Sequence, residues 1–174
     1  LIGTIVKKTP PNLEKIIVSG DSDLLQIVEK NVRVYLLKTG VKKTILYDEK
    51  LVEKEFGLKP SQLVDFKALR GDPSDNIPGI EGIGEKTALE LLKKYGNLKE
   101  IYRNLERERE KEQAKRILAQ KEKAFFGKEI LTLNLNVPLD FQLKKWDLNK
   151  EKALKILEKY NFKSLIKRIE EIFS

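Results

Sequence analysis

Short β-branched runs come first along the chain, and helical spacings follow. Leu1-Ile-Gly-Thr-Ile-Val-Lys-Lys8 reads as the middle of an amphipathic helix without its cap. Lys15 to Ser19 predicts a buried strand that ends at Gly20-Asp21, so its C-terminal edge opens into a loop. Asp23 to Val28 predicts a short helix capped by Asp21 or Ser22. Val32 to Leu37 and Lys43 to Tyr47 predict two further strands joined by a hairpin-like turn at Thr39-Gly40. Helical spacing then covers Asp48 to Phe56, stopping at Gly57, and Pro60 to Arg70, stopping at Gly71. After a Pro/Gly-rich segment it resumes over Glu85 to Tyr95, and Asn97 caps a helix reaching about Leu105. Glu106 to Phe126 predicts one long, charged, largely solvent-facing helix. Leu131 to Leu135 alternates and predicts a short strand or an extended segment. Asn149 and Ser164 are expected to start two closing amphipathic helices, and Trp146 to anchor a core. The pattern predicts an α/β edge carrying a predominantly helical lobe.

Composition narrows the chemistry. The 174 residues contain no Cys, Met or His, which excludes disulfides, thiolate catalysis, His/Cys zinc sites and imidazole acid–base chemistry within this chain. Carboxylates, amines, hydroxyls and hard metal ions remain. Lys and Arg outnumber Asp and Glu by 35 to 27, a net charge of +8, which favours a polyanionic partner over a merely basic surface only when a binding motif accompanies it. No apolar run reaches membrane-spanning length and no signal peptide is visible, so a cytoplasmic origin is expected.

Three constellations carry chemistry. Asp21 and Asp23 lie in Gly20-Asp-Ser-Asp23, at the strand edge where open α/β sheets bind ligands; capping of the next helix is the alternative reading. Asp72 and Asp75 sit in the broken turn Gly71-Asp-Pro-Ser-Asp-Asn76, where turn building is the alternative. If the two pairs meet, their mutual repulsion calls for a divalent cation, and an all-oxygen site suits Mg²⁺ or Mn²⁺. The third is Pro78-Gly-Ile-Glu-Gly-Ile-Gly84 between two predicted helices. Gly82 and Gly84 permit close backbone approach to a phosphate at a helix start, and Lys86 and Thr87 add contacts. This fits a helix-hairpin-helix element that grips a duplex backbone without reading sequence. The carbonyls of Ile80 and Ile83 are candidates to hold a monovalent cation such as K⁺.

Val18-Ser-Gly-Asp-Ser-Asp-Leu-Leu-Gln26 and Leu69-Arg-Gly-Asp-Pro-Ser-Asp-Asn-Ile-Pro-Gly-Ile-Glu-Gly-Ile-Gly-Glu-Lys-Thr-Ala88 resemble the 5′-3′ exonuclease domain of bacterial DNA polymerase I, within the flap endonuclease superfamily. The resemblance covers nearly the whole chain. It implies the edge of a PIN-like sheet and a structure-specific, metal-dependent phosphodiesterase that removes RNA primers and 5′ flaps in replication and repair. It also implies two Mg²⁺ ions, one activating water and both stabilising the pentavalent transition state. Asp21, Asp23, Asp72 and Asp75 would be acids of the second-metal side, and Gly82, Gly84, Lys86 and Thr87 would hold duplex DNA at a flap, nick or RNA primer. A monomer acting at the nucleoid, with a polymerase domain as a possible fused neighbour, is the expected setting.

The resemblance also implies three parts: residues 1–58 from the α/β core, 59–128 as the hairpin lobe, and 129–174 packing back on the core. In the family an acid-rich segment precedes the helix that Leu1 to Val6 resembles, so the chain is expected to lack the family's earlier aspartates, its first strand and its threading arch. It is therefore expected to bind DNA while cleaving it poorly. The rival reading is a non-catalytic helix-hairpin-helix module whose acids only cap helices and build turns. A third, an RNA-processing nuclease of similar build, is disfavoured by the duplex-gripping hairpin.

Overall fold

The computed structural model describes residues 1–38, 44–145 and 149–173. It divides into two units, Leu1–Leu139 and Asp140–Ser174. The first holds a three-stranded sheet in the order β1-β2-β3, where β1 is Lys15–Ser19, β2 is Val32–Leu37 and β3 is Thr44–Tyr47. β1 runs parallel to β2, with Lys15 opposite Val32 and Ser19 opposite Leu36; β3 returns antiparallel, with Val34 opposite Tyr47. The Thr39-Gly40 turn, Lys43 and Trp146 lie outside the described residues. Alternation sends Ile17, Val32, Val34, Leu36 and Tyr47 into the core and leaves Ile16, Val18, Tyr35 and Leu46 on the open face.

Helix α1, Ile2–Lys8, is tied to the segment after residue 131. The buried Thr4 hydroxyl donates to the Asn134 carbonyl at 3.3 Å and accepts the Val137 N–H at 3.1 Å. That segment lies outside both helix and sheet, so the short strand does not form. The expected helix at 23–28 is a 3-10 helix, Ser22–Ile27, and its cap is Asp21. α2, Glu49–Phe56, starts at the Asp48 side chain, which accepts the Leu51 N–H at 2.8 Å.

A 3-10 turn, Pro60–Gln62, leads into α3, Leu63–Arg70, the spine of the helical part. α4 is Glu85–Tyr95 and α5 is Leu98–Leu105. The single long helix expected over Glu106 to Phe126 does not form. The chain makes a 3-10 turn at Glu106–Glu108, then α6, Glu112–Leu118, and α7, Lys121–Leu131. These pieces are not simply solvent-facing, because Ala114, Ile117 and Ala124 are buried and the Phe125 ring packs on Tyr102 of α5, centroids 5.5 Å apart. α7 crosses α3 where Gly127 faces Ala68; a Cβ on Gly127 would stand 3.8 Å from the Ala68 Cα. A continuous apolar cluster extends from Ile17 in the sheet to Ala124 in α7, across residue 58. Buried Asp65 joins three helices: it accepts the Leu98 N–H at 2.9 Å and pairs with Lys128 at 2.7 Å.

The second unit is a helical hairpin of α8, Lys150–Lys159, and α9, Lys163–Ile172. Asn149 caps α8 as expected, accepting the Lys152 N–H at 2.9 Å. Ser164 lies inside α9, which starts after Phe162. No helix among the described residues is long and apolar enough to cross a membrane.

Candidate metal centre and nucleic-acid interface

Two loops far apart in sequence deliver the carboxylates. β1 ends at Ser19, and Asp21 follows as the cap of the 3-10 turn: its Oδ1 accepts the Asp23 N–H at 2.8 Å. The second loop leaves α3 at Gly71 and closes on itself. Asp72 N–H donates to the Ile77 carbonyl at 2.8 Å, and Ile77 N–H returns to the Asp72 carbonyl at 2.9 Å. Asp72 Oδ1 also accepts the Ser74 N–H at 3.0 Å, and Asn76 turns the chain at φ 56°. The close crossing of this loop over its own start requires glycine. A Cβ on Gly79, at φ 66°, would lie 2.3 Å from the Gly71 nitrogen and 2.5 Å from the Arg70 carbonyl carbon. The result brings one oxygen each of Asp23, Asp72 and Asp75 within 4.8 Å of one another. Asp21 stands beside this trio and spends an oxygen on its cap.

Lys67 of α3 reaches into the cluster. Its Nζ pairs with Asp23 Oδ1, and with Asp72 Oδ2 at 2.6 Å. The three side chains are 15%, 18% and 7% exposed, so solvent screens these pairs little. One ammonium shared by two carboxylates leaves them unequal. Burial raises the pKa of Asp23; Lys67 opposes this without cancelling it, and the neighbouring charges of Asp75 and Asp21 raise it further. Burial also works to raise Asp72, but the Lys67 and Ser74 hydrogen bonds outweigh it and the net shift is downward. Burial works against a charged Lys67, yet its bonds to the two carboxylates hold its pKa above the ordinary lysine value. Sequence reading missed Lys67. The available signal was its position, four residues after Leu63 and three after Val64 on a helix face that buries both. A cation on an apolar stripe needs an acid to meet it.

Gln26 was missed as well. Its Nε2 donates to the Asp23 carbonyl at 2.8 Å and to the Leu131 carbonyl at 3.0 Å, and its Oε1 accepts the Leu133 N–H at 3.0 Å. It thereby fastens the Asp23 backbone to the end of α7. The acid trio offers hard oxygens, the donor set a hard divalent cation takes. The ammonium drawn between two of them shows that the local field favours a cation. These residues fit a divalent metal.

The hairpin continues directly from the second acid loop. Ile80 N–H donates to the Leu69 carbonyl at 2.8 Å, and Ile83 N–H to the Ile80 carbonyl at 3.0 Å, with Gly82 at φ 82° in the turn between them. Ile80 and Ile83 are buried side chains that root the turn. Gly84 is the N-cap of α4 and has no side chain to cap with, and the Ala88 N–H is the donor to its carbonyl. The amides of the first turn of α4 thus precede the intrahelical ladder. A Cβ at Gly82 or Gly84 would meet nothing within 4 Å. Lys86 is exposed beside them and Thr87 half-buried. The Ile80 carbonyl already accepts one hydrogen bond, which leaves it one lone pair for a monovalent cation.

Residues 58–154 match the family described as 5′-3′ exonuclease, C-terminal SAM fold. The chain belongs to the 5′-3′ exonuclease family. It is 41% identical to a DNA polymerase I of Caldicellulosiruptor bescii over 97% of this chain and 20% of that protein. It is 38% identical to a 5′-3′ exonuclease of Mycoplasmopsis pulmonis over 98% of this chain and 58% of the other. This 5′-3′ exonuclease family chain therefore spans about a fifth of the first relative and less than two thirds of the second. Its fold is that of T5 5′-exonuclease: a structure of that enzyme with bound divalent zinc ions superimposes with a TM-score of 0.58 at 22% identity, over 68% of this chain and 42% of that one. A bacteriophage T5 flap endonuclease in a pseudo-enzyme–product complex with DNA and metal ions gives the same TM-score of 0.58, at 21% identity and the same coverage.

Proposed function

We propose that the chain is the carboxylate-and-hairpin part of a metal-dependent 5′-3′ nuclease that hydrolyses phosphodiesters of DNA, or of RNA primers on DNA, at 5′ flaps and nicks. The observation that carries this reading is the meeting of Asp23, Asp72 and Asp75 from two loops some fifty residues apart, the second of which runs on into the hairpin. In this reading Asp23, Asp72 and Asp75 hold Mg²⁺ or Mn²⁺, with Asp21 at the margin of the site. When bound, such ions supply a water of lowered pKa and neutralise charge on the phosphoryl oxygens. Lys67 keeps Asp23 and Asp72 facing each other in the ion-free chain and yields them to the cation. Gly82 and Gly84 let a phosphate approach the α4 amides, Lys86 and Thr87 add contacts, and Ile80 and Ile83 carbonyls take K⁺ at the turn. The grip is on the backbone and so independent of sequence.

In this reading the chain alone binds duplex DNA as a monomer and cleaves it weakly, because the three carboxylates that converge among the described residues suit one divalent ion better than two. The module reading draws on one observation, that Asp21 and Asp72 both make capping hydrogen bonds. Calorimetric titration with Mn²⁺ separates the two. The nuclease reading expects saturable binding in the millimolar range or tighter that Asp72→Ala abolishes. Heat traces indistinguishable from buffer, with DNA binding intact, would leave only the module.

A further inference from the structure

One side chain from outside the hairpin holds its turn. Gln120, at the junction between α6 and α7, accepts the Glu81 N–H on Oε1 at 2.9 Å and donates from Nε2 to the Glu81 carbonyl at 3.3 Å. The same Nε2 reaches the Arg116 carbonyl at 3.2 Å, and the Gln120 carbonyl accepts the Ala124 N–H at 3.1 Å, so the side chain is fixed at its base. The turn Ile80-Glu81-Gly82-Ile83 is closed by the Ile83 N–H to Ile80 carbonyl bond, and Gly82 stands at φ 82°. That is the type II pattern, with positive φ at the third residue.

Types I and II differ by a flip of the central peptide, whose carbonyl belongs to Glu81 and whose N–H belongs to Gly82. A trans peptide points its carbonyl and its N–H in opposite directions. Holding the Glu81 carbonyl against Gln120 therefore aims the Gly82 N–H away from α6 and α7. Among the hydrogen bonds of the described residues the Gly82 N–H has no acceptor, and a Cβ on Gly82 would meet nothing within 4 Å.

We infer that Gln120 is a positioning residue for nucleic-acid binding: it selects the hairpin's turn type so that the Gly82 N–H faces outward as a ready donor to a phosphate oxygen. This rests on the reading of the hairpin as the duplex grip. Gln120 touches no nucleic acid in this scheme. It removes the choice between two turn conformations before the ligand arrives, so that cost is not charged to binding.

The test is fluorescence anisotropy of a labelled nicked duplex with the full 174-residue chain in EDTA, at several salt concentrations. Gln120→Met keeps the side-chain length and removes both bonds. It is expected to weaken binding about tenfold, the order set by two hydrogen bonds, with the salt slope unchanged because no cation is lost. In the free variant the Gly82 amide NMR signal should shift. Lys86→Ala is the control for the reading itself, and should weaken binding with a shallower salt slope. Parent-like affinity of Gln120→Met alongside a weakened Lys86→Ala overturns the inference and leaves the grip standing. If Lys86→Ala and Gln120→Met both bind like the parent, the grip fails and the inference with it. A loss of affinity that merely tracks unfolding in the melting curve, with the Gly82 signal unmoved in the folded fraction, also overturns it. Gln120→Glu, which retains only the acceptor for the Glu81 N–H, provides the second variant; it should shift the Gly82 signal as Gln120→Met does.

Discussion

Replacing Lys67 by Met removes a cation from among three carboxylates while keeping the length of the side chain. At 2.6 Å and an effective dielectric near 20, the Lys67–Asp72 pair is worth roughly 6 kcal/mol of attraction, and the Lys67–Asp23 pair is of the same order. Desolvation of the ammonium and of two largely buried carboxylates offsets much of that, so a net loss of about 3 kcal/mol is the expectation, in the range found when one partner of a buried pair is removed. For a chain of this size that lowers the melting temperature by about 6–12 °C. The loss depends on pH with a defined sign. Without Lys67, burial pushes the folded pKa values of Asp23 and Asp72 upward, and in Asp23 the neighbouring acids add to this. A carboxyl group with a raised folded pKa is tolerated while protonated, and its penalty grows as pH rises through that value. Lys67→Met should therefore be destabilised more at pH 8 than at pH 5. Calorimetric melting in EDTA at both values, repeated with millimolar Mn²⁺, checks this. A bound cation replaces the missing charge, so the variant should gain more from Mn²⁺ than the parent does. Equal melting temperatures in EDTA at pH 8, or identical gains from Mn²⁺, would refute the account of Lys67 as the resident counter-charge.

Gly79→Ala places a methyl group against backbone that cannot give way, 2.3 Å from the Gly71 nitrogen, at a φ of 66°. It should cost about 3 kcal/mol and, by opening the loop that carries Asp72 and Asp75, lower Mn²⁺ affinity at least tenfold, measured by melting and by titration. The Tyr102 hydroxyl donates to the Ile117 carbonyl at 3.3 Å, and burial pushes its pKa up to about 12. Its neutral form is favoured in the folded chain, so its contribution is complete below about pH 10 and is lost as pH rises through about 12. Tyr102→Phe should flatten that alkaline decline in melting temperature. An unchanged decline, with a tyrosine absorbance titration lacking any late step, would count against burial as the cause.

The elements legible from sequence are those whose signal is local. β1, β2 and β3 announce themselves as β-branched runs, and Asp48, Asn97 and Asn149 start their helices by accepting hydrogen bonds from amides three residues on. The acids of both loops and the glycines of the hairpin stand out because turn chemistry and helix starts need those residue types at fixed spacing. The break-up of the charged stretch after Leu105 was not legible. It contains no Gly or Pro to mark a stop. The chain turns there because Ala114, Ile117 and Phe125 gain more by joining the apolar cluster that contains Tyr102 than a continuous helix gains from its own bonds.

Local sequence by itself determined most of the short segments that would extend, coil or turn, and which side chains are of metal-ligating or phosphate-binding type. Only the tertiary structure decided that Asp23 would join Asp72 and Asp75, that Lys67 would sit among them, and that Gln26 and Gln120 would reach across to distant backbone. Each of those is a contact between residues dozens of positions apart. Its energy depends on the distance and burial that packing creates, and a one-dimensional pattern contains neither.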